Sequence, residues 1–243
     1  MSGVLVVDDQ HLIRTGIATL LGTRQDELGP IHEAADGQAA IAAVTAEQPG
    51  LVLMDIRMPG LNGIDAARTI LRLPVAEPPR VVILTTYDQD ALLYAALRAG
   101  CSGFLLKDMP PGQLLSAVIA LSQSDVLVAP ARLRTLVEYH AVPEAPSVPG
   151  PLSQPQPQPP ERLPAQLTQR ELQVLQFVAQ GLDNEDIAQR ICVSVGTVKS
   201  HVHRMMTKLE LRSRAQAVVF AYEHGIATAR ASGTSGMRPA TAF

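Results

Sequence analysis

The stretch "LVLMDIRMPG", residues 51–60, sets four apolar residues directly before an aspartate and closes on a Met-Pro-Gly turn. An apolar run of that length, ended by turn residues, reads as a strand buried on both faces, as in the middle of a parallel sheet. Aspartate is depleted in strands and is rarely buried without a partner. A carboxylate where such a strand ends, at Asp55, therefore needs a physical reason.

The flanking sequence supplies a setting for it. Short apolar runs at residues 4–7, 31–34, 51–54, 81–84 and 103–106 read as strands. Amphipathic stretches near 12–21, 37–47, 62–73, 90–99 and 111–123 read as helices between and after them. Five such units in series predict a doubly wound parallel sheet, of flavodoxin-like type, with helices on both faces. Ligands of these sheets sit outside the carboxyl ends of the strands, where the strand order reverses.

Polar residues collect at those ends. Asp8 and Asp9 follow the first strand, Asp55 the third, Thr85 and Thr86 the fourth, and Lys107 the fifth. Three crowded carboxylates repel one another and call for a cation. An all-oxygen donor set with room for water suits Mg²⁺. A lysine and a hydroxyl beside them suit an incoming phosphoryl group, one through charge and one through a hydrogen bond. Neither G-x-G-x-x-G nor G-x-x-x-x-G-K-[ST] occurs, and there is no G-x-S-x-G elbow, so nucleotide-loop and serine-hydrolase uses of the fold have no support.

Composition divides the chain. Of 243 residues, 47% are hydrophobic and 18% charged, and no apolar run approaches the roughly 18 residues of a membrane span. The start, "MSGVLVVDDQ", lacks a basic n-region. Two distant cysteines, Cys101 and Cys192, lack metal-ligand spacing and fit a reducing cytoplasm. Residues 1–160 hold 10 Lys+Arg against 16 Asp+Glu, whereas residues 161–243 hold 10 against 7. An acidic first part and a basic second part imply different tasks. Between them, residues 141–166 are rich in proline, nearly uncharged and without a hydrophobic period, which reads as an extended spacer. The expected division is a first domain over 1–125, a connecting helix and proline-rich linker over 126–162, a second domain over 163–228 and a tail over 229–243.

The second domain reads as four short helices. Thr168 with Glu171 forms a capping box, Gly181 ends that helix, Asp183 caps the next and Ser194 a third, and a fourth runs from about Ser213 to His224. Helices this short with tight turns suit a helix-turn-helix unit. In the third, residues 195, 198, 202, 205 and 209 form one apolar stripe. The opposite arc carries Gly196, Lys199, Ser200, His203, Arg204 and Thr207, small and basic residues suited to a major groove.

Residues 1–125 closely resemble the receiver domain of bacterial two-component response regulators, on "VLVVDDQ", "LVLMDIRMPGLNG", "VVILTTYD" and "GFLLKD". The intervals agree with that family too: 46 residues from Asp9 to Asp55, 30 more to Thr85 and 22 more to Lys107. The resemblance implies that Asp55 accepts a phosphoryl group from a sensor histidine kinase. It implies that Asp9, Asp55 and the Arg57 backbone carbonyl hold Mg²⁺, with Asp8 assisting through water. Thr85 and Lys107 would meet the phosphoryl group, and Phe104 occupies the aromatic switch position. Two departures are a longer segment at residues 22–30 and Asp108 after Lys107, where many receivers have proline.

Residues 167–225 resemble the LuxR-type domain of NarL/FixJ regulators, on "LTQRE", "GLDNEDIA" and "VSVGTVKSHV". That resemblance places DNA contacts at Thr197, Val198, Lys199, Ser200, His201, His203, Arg204 and Lys208, and a dimer contact on the last helix. It implies double-stranded promoter DNA as a partner, a homodimer, and RNA polymerase as a further partner, with no membrane. A chain of this kind regulates transcription and is not an enzyme beyond its own phosphorylation and dephosphorylation. A phosphatase built on Asp55 would ordinarily carry a second Asp two residues on, where this chain has Arg57.

Overall fold

The computed structural model describes residues 3–75, 77–86, 90–123, 130–140 and 167–227. Most of the proline-rich linker and the tail beyond Ala227 lie outside the described residues. The first part runs β1 (Val4–Val7), α1 (His11–Gly22), α2 (Gln25–Leu28), β2 (Ile31–Ala34), α3 (Gly37–Glu47), β3 (Leu51–Asp55), α4 (Gly63–Ile70), β4 (Arg80–Thr85), α5 (Asp90–Ala99), β5 (Gly103–Leu106) and α6 (Pro111–Gln123). A connecting helix α7 (Pro130–His140) follows. The second part is α8 (Gln169–Ala179), α9 (Asn184–Ile191), α10 (Val195–Lys208) and α11 (Arg214–Glu223).

All strand pairs are parallel, in the order β2-β1-β3-β4-β5. The order reverses between β1 and β3, so a crevice forms at their carboxyl ends. Alternation along the strands splits the core into two layers. Val4, Val6, Leu51, Leu53, Val82 and Leu84 face α1, α2 and α6 through residues such as Ile17, Leu28 and Val118. Leu5, Val7, Val52, Met54, Ile83 and Phe104 face α3, α4 and α5 through Val44, Ile70 and Leu97. Burial on both sides explains why these strands read as unbroken apolar runs.

The longer segment at residues 22–30 contains α2, which anchors itself through buried Leu28. In α7, Leu133, Leu136 and Val137 are buried at helical spacing and join the α3–α5 layer. That layer continues into the second domain, where α11 packs on α5, α7 and α8. The docking is also polar. Ser213 Oγ donates to the Cys101 carbonyl at 2.9 Å, Gln216 Nε2 to the Arg98 carbonyl at 3.1 Å, and Tyr94 Oη meets Glu223 at 2.7 Å.

Each helix of the second domain starts at a side-chain cap. Thr168 and Glu171 form the reciprocal capping box, and Asp183, Ser194 and Ser213 accept from the backbone N–H three residues on. Gly181 turns the chain after α8 at φ 80°.

Candidate functional site

The sheet brings the strand-end residues together. Asp8 is fully buried and continues the β1 ladder, its N–H donating to the Ala34 carbonyl at 3.2 Å. Its carboxylate accepts from the Gln10 N–H at 2.9 Å, and Arg14 Nη1 donates to its carbonyl at 2.7 Å. Arg14 is itself held by Glu33 at 3.1 Å. Asp55 closes β3 and is 5% exposed, while Asp9 lies exposed at the rim. One carboxylate oxygen from each of Asp8, Asp9 and Asp55 lies within 4.8 Å of the others.

Lys107 enters this cluster from the end of β5. Its N–H donates to the Thr85 carbonyl at 2.8 Å, which sets the backbone against β4. Its Nζ lies 2.7 Å from Asp8 Oδ2 and 2.9 Å from Asp55 Oδ2. Burial pushes the Asp55 carboxyl above the usual carboxylate range, more than the hydrogen bond and charge of Lys107 pull it down. For Lys107 burial works downward, yet its hydrogen bonds to Asp8 and Asp55 and their charges leave it raised. Three converging carboxylates share one ammonium, so the site is short of positive charge. Asp8 Oδ2 is buried with no hydrogen-bond partner beyond that ion pair. A hard cation fits this set: the donors are carboxylate oxygens, they converge, and their charge is not balanced by one ammonium.

Gly63 was not legible as a site residue. It opens α4, and its N–H donates to the Ile56 carbonyl at 2.9 Å. A Cβ there would stand 1.8 Å from the Asp55 carbonyl oxygen, so only glycine lets α4 press against the Asp55 backbone. The glycine eight residues after Asp55, at a helix start, was the available signal. Arg14 was missed as well, because its contact is to a backbone carbonyl.

The remaining receiver residues lie around this centre. Thr85 ends β4, 1% exposed, with its hydroxyl donating to the Thr86 carbonyl at 3.0 Å rather than to Asp55. The Phe104 ring is buried beside the sheet, and the Arg132 guanidinium of α7 lies 5.4 Å from its centroid. Arg57 is exposed, and its backbone N–H hydrogen-bonds the Asp55 carboxylate. A surface groove of about 740 Å³ runs over Asp9, Arg57, Met58, Pro59 and Leu92.

The second candidate surface is α10. Thr197, Lys199, Ser200, His203, Arg204, Thr207 and Lys208 are exposed, and His201 is half-buried. Val198 corrects the expectation. It is fully buried in the domain core with Val174 and Ile187, so its side chain holds the helix in place and does not face a groove. Lys208 is ion-paired at 2.7 Å to Glu171, a buried carboxylate. That hydrogen bond, with the Thr168 N–H next, holds Glu171 down at about 2. The exposed arc of α10 also borders the first domain. A cavity of about 890 Å³ is lined by Lys199, His203 and Met206 on one side and by Gln123, the last residue of α6, on another.

Comparison with known proteins identifies both domains. Residues 4–119 match the family described as response regulator receiver domain, and residues 165–221 match bacterial regulatory proteins of the luxR family. An uncharacterized transcriptional regulatory protein of Bacillus subtilis, YxjL, is 38% identical over 224 residues, covering 92% of this chain and 96% of the relative. The nitrate/nitrite response regulator protein NarL of Escherichia coli is 30% identical over 223 residues, covering 92% and 96%. The response regulator protein VraR of Staphylococcus aureus is 31% identical over 227 residues, covering 92% and 97%. Among the described residues no helix is long and apolar enough to cross a membrane.

Proposed function

From the family to which this chain belongs, the response regulators that join a receiver to a luxR-type DNA-binding domain, we propose that phosphorylation of Asp55 by a sensor histidine kinase switches promoter binding by α10. The carrying observation is Lys107 Nζ between Asp8 and Asp55 at 2.7 and 2.9 Å, in a site still short of positive charge. Asp55 is fixed by its strand, partly desolvated, and reached from solvent beside the groove over Asp9 and Arg57. An ionised Asp55 oxygen attacks phosphorus in line as the bond to the donor histidine breaks, and the imidazole leaves. Asp9, Asp55 and the Arg57 carbonyl would hold Mg²⁺, with Asp8 assisting, and the ion would supply positive charge for the phosphoryl oxygens. Lys107 pairs with the new phosphate, and the Thr85 hydroxyl leaves the Thr86 carbonyl to donate to it. Hydrolysis of the acyl phosphate returns the chain to its first state, so it turns over no substrate but itself.

The docked arrangement supports a silent unphosphorylated form. Gln123 lines the same cavity as Lys199 and His203, which narrows the approach of a duplex to that part of α10, and α11 packs against α5 and α7 and so is not free to pair. Thr85 pairs with Leu106 on β5, two residues on from Phe104, whose ring lies 5.4 Å from the Arg132 guanidinium of α7, and this line of residues gives a route from Asp55 to the docking face. Phosphorylation then acts by shifting population toward an undocked form that dimerises and binds paired half-sites. We take residues 1–125 as the receiver, 126–162 as connector and spacer, 163–228 as the DNA-binding domain and 229–243 as a tail, and place the reaction in the cytoplasm.

The test uses acetyl phosphate on the full chain. Wild type should be labelled only with Mg²⁺ present, Asp55→Asn should not be labelled, and labelling should tighten operator binding. Stoichiometric labelling of the Asn variant, or of wild type in excess chelator, would overturn the assignment of Asp55.

A further inference from the structure

Four arginines converge on the seam between the two domains. Arg68 and Arg72 come from the end of α4 and the turn after it, Arg98 from the end of α5, and Arg212 from the turn before α11. With Gln216 and Leu71 they line a groove of about 410 Å³, and no acidic residue lines it. Arg68 pairs with Asp65 at 2.6 Å and Arg98 with Glu223 at 3.0 Å, and neither carboxylate lines the groove. The Arg212 guanidinium hydrogen-bonds a neutral acceptor, the Leu71 carbonyl, and among the described residues neither Arg212 nor Arg72 has an ion-pair partner. Each guanidinium carries five N–H donors in a fixed plane, so most of the donors in the groove remain available.

Three of these arginines belong to the receiver and one to the DNA-binding domain, so the cluster exists only when the domains are docked. Like charges brought together this way oppose docking, and the opposition goes if an anion bridges them. Planar, bidentate donors select phosphate and carboxylate oxygens over a diffuse negative surface. The small volume excludes a large ligand, and the number of guanidinium groups favours several charges on a compact body.

We propose that this groove binds a compact oligophosphate, free or as the phosphate chain of a nucleotide, and that the ligand clamps the two domains together. Binding that belongs to the docked form alone stabilises that form by mass action. Its effect on DNA rests on the reading above, that the docked form is silent; the site itself rests on the arginines. By linkage, such a ligand and phosphorylation of Asp55 oppose one another.

Sodium tripolyphosphate titrated into the unphosphorylated full chain at low ionic strength is the probe, followed by calorimetry. One equivalent should bind and raise the melting temperature. Arg72→Ala, which removes no hydrogen bond or ion pair to the second domain among the described residues, should weaken binding about tenfold, the loss of one charge-assisted hydrogen bond. Arg212→Ala should do the same, and Arg204→Ala on α10 should not. Adenosine triphosphate and pyrophosphate in parallel tell a nucleotide from a free chain. Absence of binding, or binding lost in Arg204→Ala and kept in Arg72→Ala, overturns the site. So does an Arg72→Ala variant that loses affinity for non-specific duplex but not for tripolyphosphate, since the arginines would then be a DNA-backbone surface. If tripolyphosphate binds at the arginines yet leaves operator affinity unchanged, the site stands and the silent docked form does not.

Discussion

The strand-end cluster and the exposed arc of α10 are both charged, yet they are built in opposite ways. At the cluster, Asp8, Asp55 and Lys107 hold one another inside the fold, with side chains at most 11% exposed. On α10, Lys199, Ser200, His203 and Arg204 stand out from the helix, and the order beneath them comes from Val198 and Met205. The first site is complete in its geometry and incomplete in its charge. The second has a rigid base and side chains that point to solvent. A buried charge cluster reports on itself through stability, whereas an exposed arc reports only when DNA is added. Substitutions should separate the two surfaces along that line.

Lys107→Met should give the largest effect. Removing one partner from a buried ion cluster leaves charge uncompensated and costs about 3–5 kcal/mol where neither ion can relax to water. The loss should show as a lower melting temperature without metal, and Mg²⁺ should restore more of it than it adds to wild type. The pH dependence has a definite sign. A carboxyl raised above its ordinary value, as Asp55 is, contributes stability at pH below that value and loses it as pH rises through the raised one. Without Lys107 the carboxyl rises further, so the variant should match wild type best in acid and fall behind toward neutrality. A deficit that grows in acid would break the charge argument for this site.

How much of this was visible beforehand follows from the same contrast. All five strands, the strand-end residues and three of the four helix caps of the second domain, Thr168, Asp183 and Ser194, could be read, because each depends on local pattern: apolar runs, their last residue, a capping side chain. The four-residue α2 could not, since it is too short to show a helical period. Neither could the docking, because Ser213, Gln216 and Arg212 reach the backbone carbonyls of Cys101, Arg98 and Leu71, and a carbonyl has no residue signature. Gly63 belongs with these, its role being space left for the Asp55 backbone. Val198 was misplaced for a different reason: its place in the apolar stripe marked it as core, while the resemblance put it in the groove.

Lys199→Ala and Val198→Ala therefore form the next comparison, one residue apart on the same helix. Lys199→Ala should leave the melting temperature unchanged and weaken operator binding by about 1–3 kcal/mol if the ammonium meets a base edge. If it meets phosphate alone, the loss should be the same for all sequences, with a salt slope smaller by about one. Val198→Ala should behave in reverse, costing about 2 kcal/mol of stability while the folded fraction keeps wild-type affinity. Two variants that lose stability and affinity in the same proportion would erase the distinction between base and arc.

The smallest effect belongs to the residue that sits between the two cases. Lys208 stands at the end of α10 as an exposed cation, yet its ammonium is 2.7 Å from Glu171, whose carboxylate also accepts from the Thr168 N–H at 2.8 Å. Glu171→Gln keeps a side chain able to close the capping box and removes only the charge. The ion pair is half open to water on the lysine side, so its loss should cost no more than about 0.5–1 kcal/mol, read as faster amide exchange in α8. Glu171 is held down at about 2, so its contribution is complete above the ordinary carboxylate range near 4.3 and fades as pH falls toward 2. Wild type and Gln variant should therefore differ by a constant amount near neutrality and converge in acid. The same variant also frees Lys208. Unchanged DNA affinity would assign Lys208 to the scaffold, and tighter binding with a steeper salt slope would assign it to the phosphate backbone. A stability difference that does not narrow between pH 5 and pH 2 would show that the pair is not what holds the end of α10 to the cap of α8.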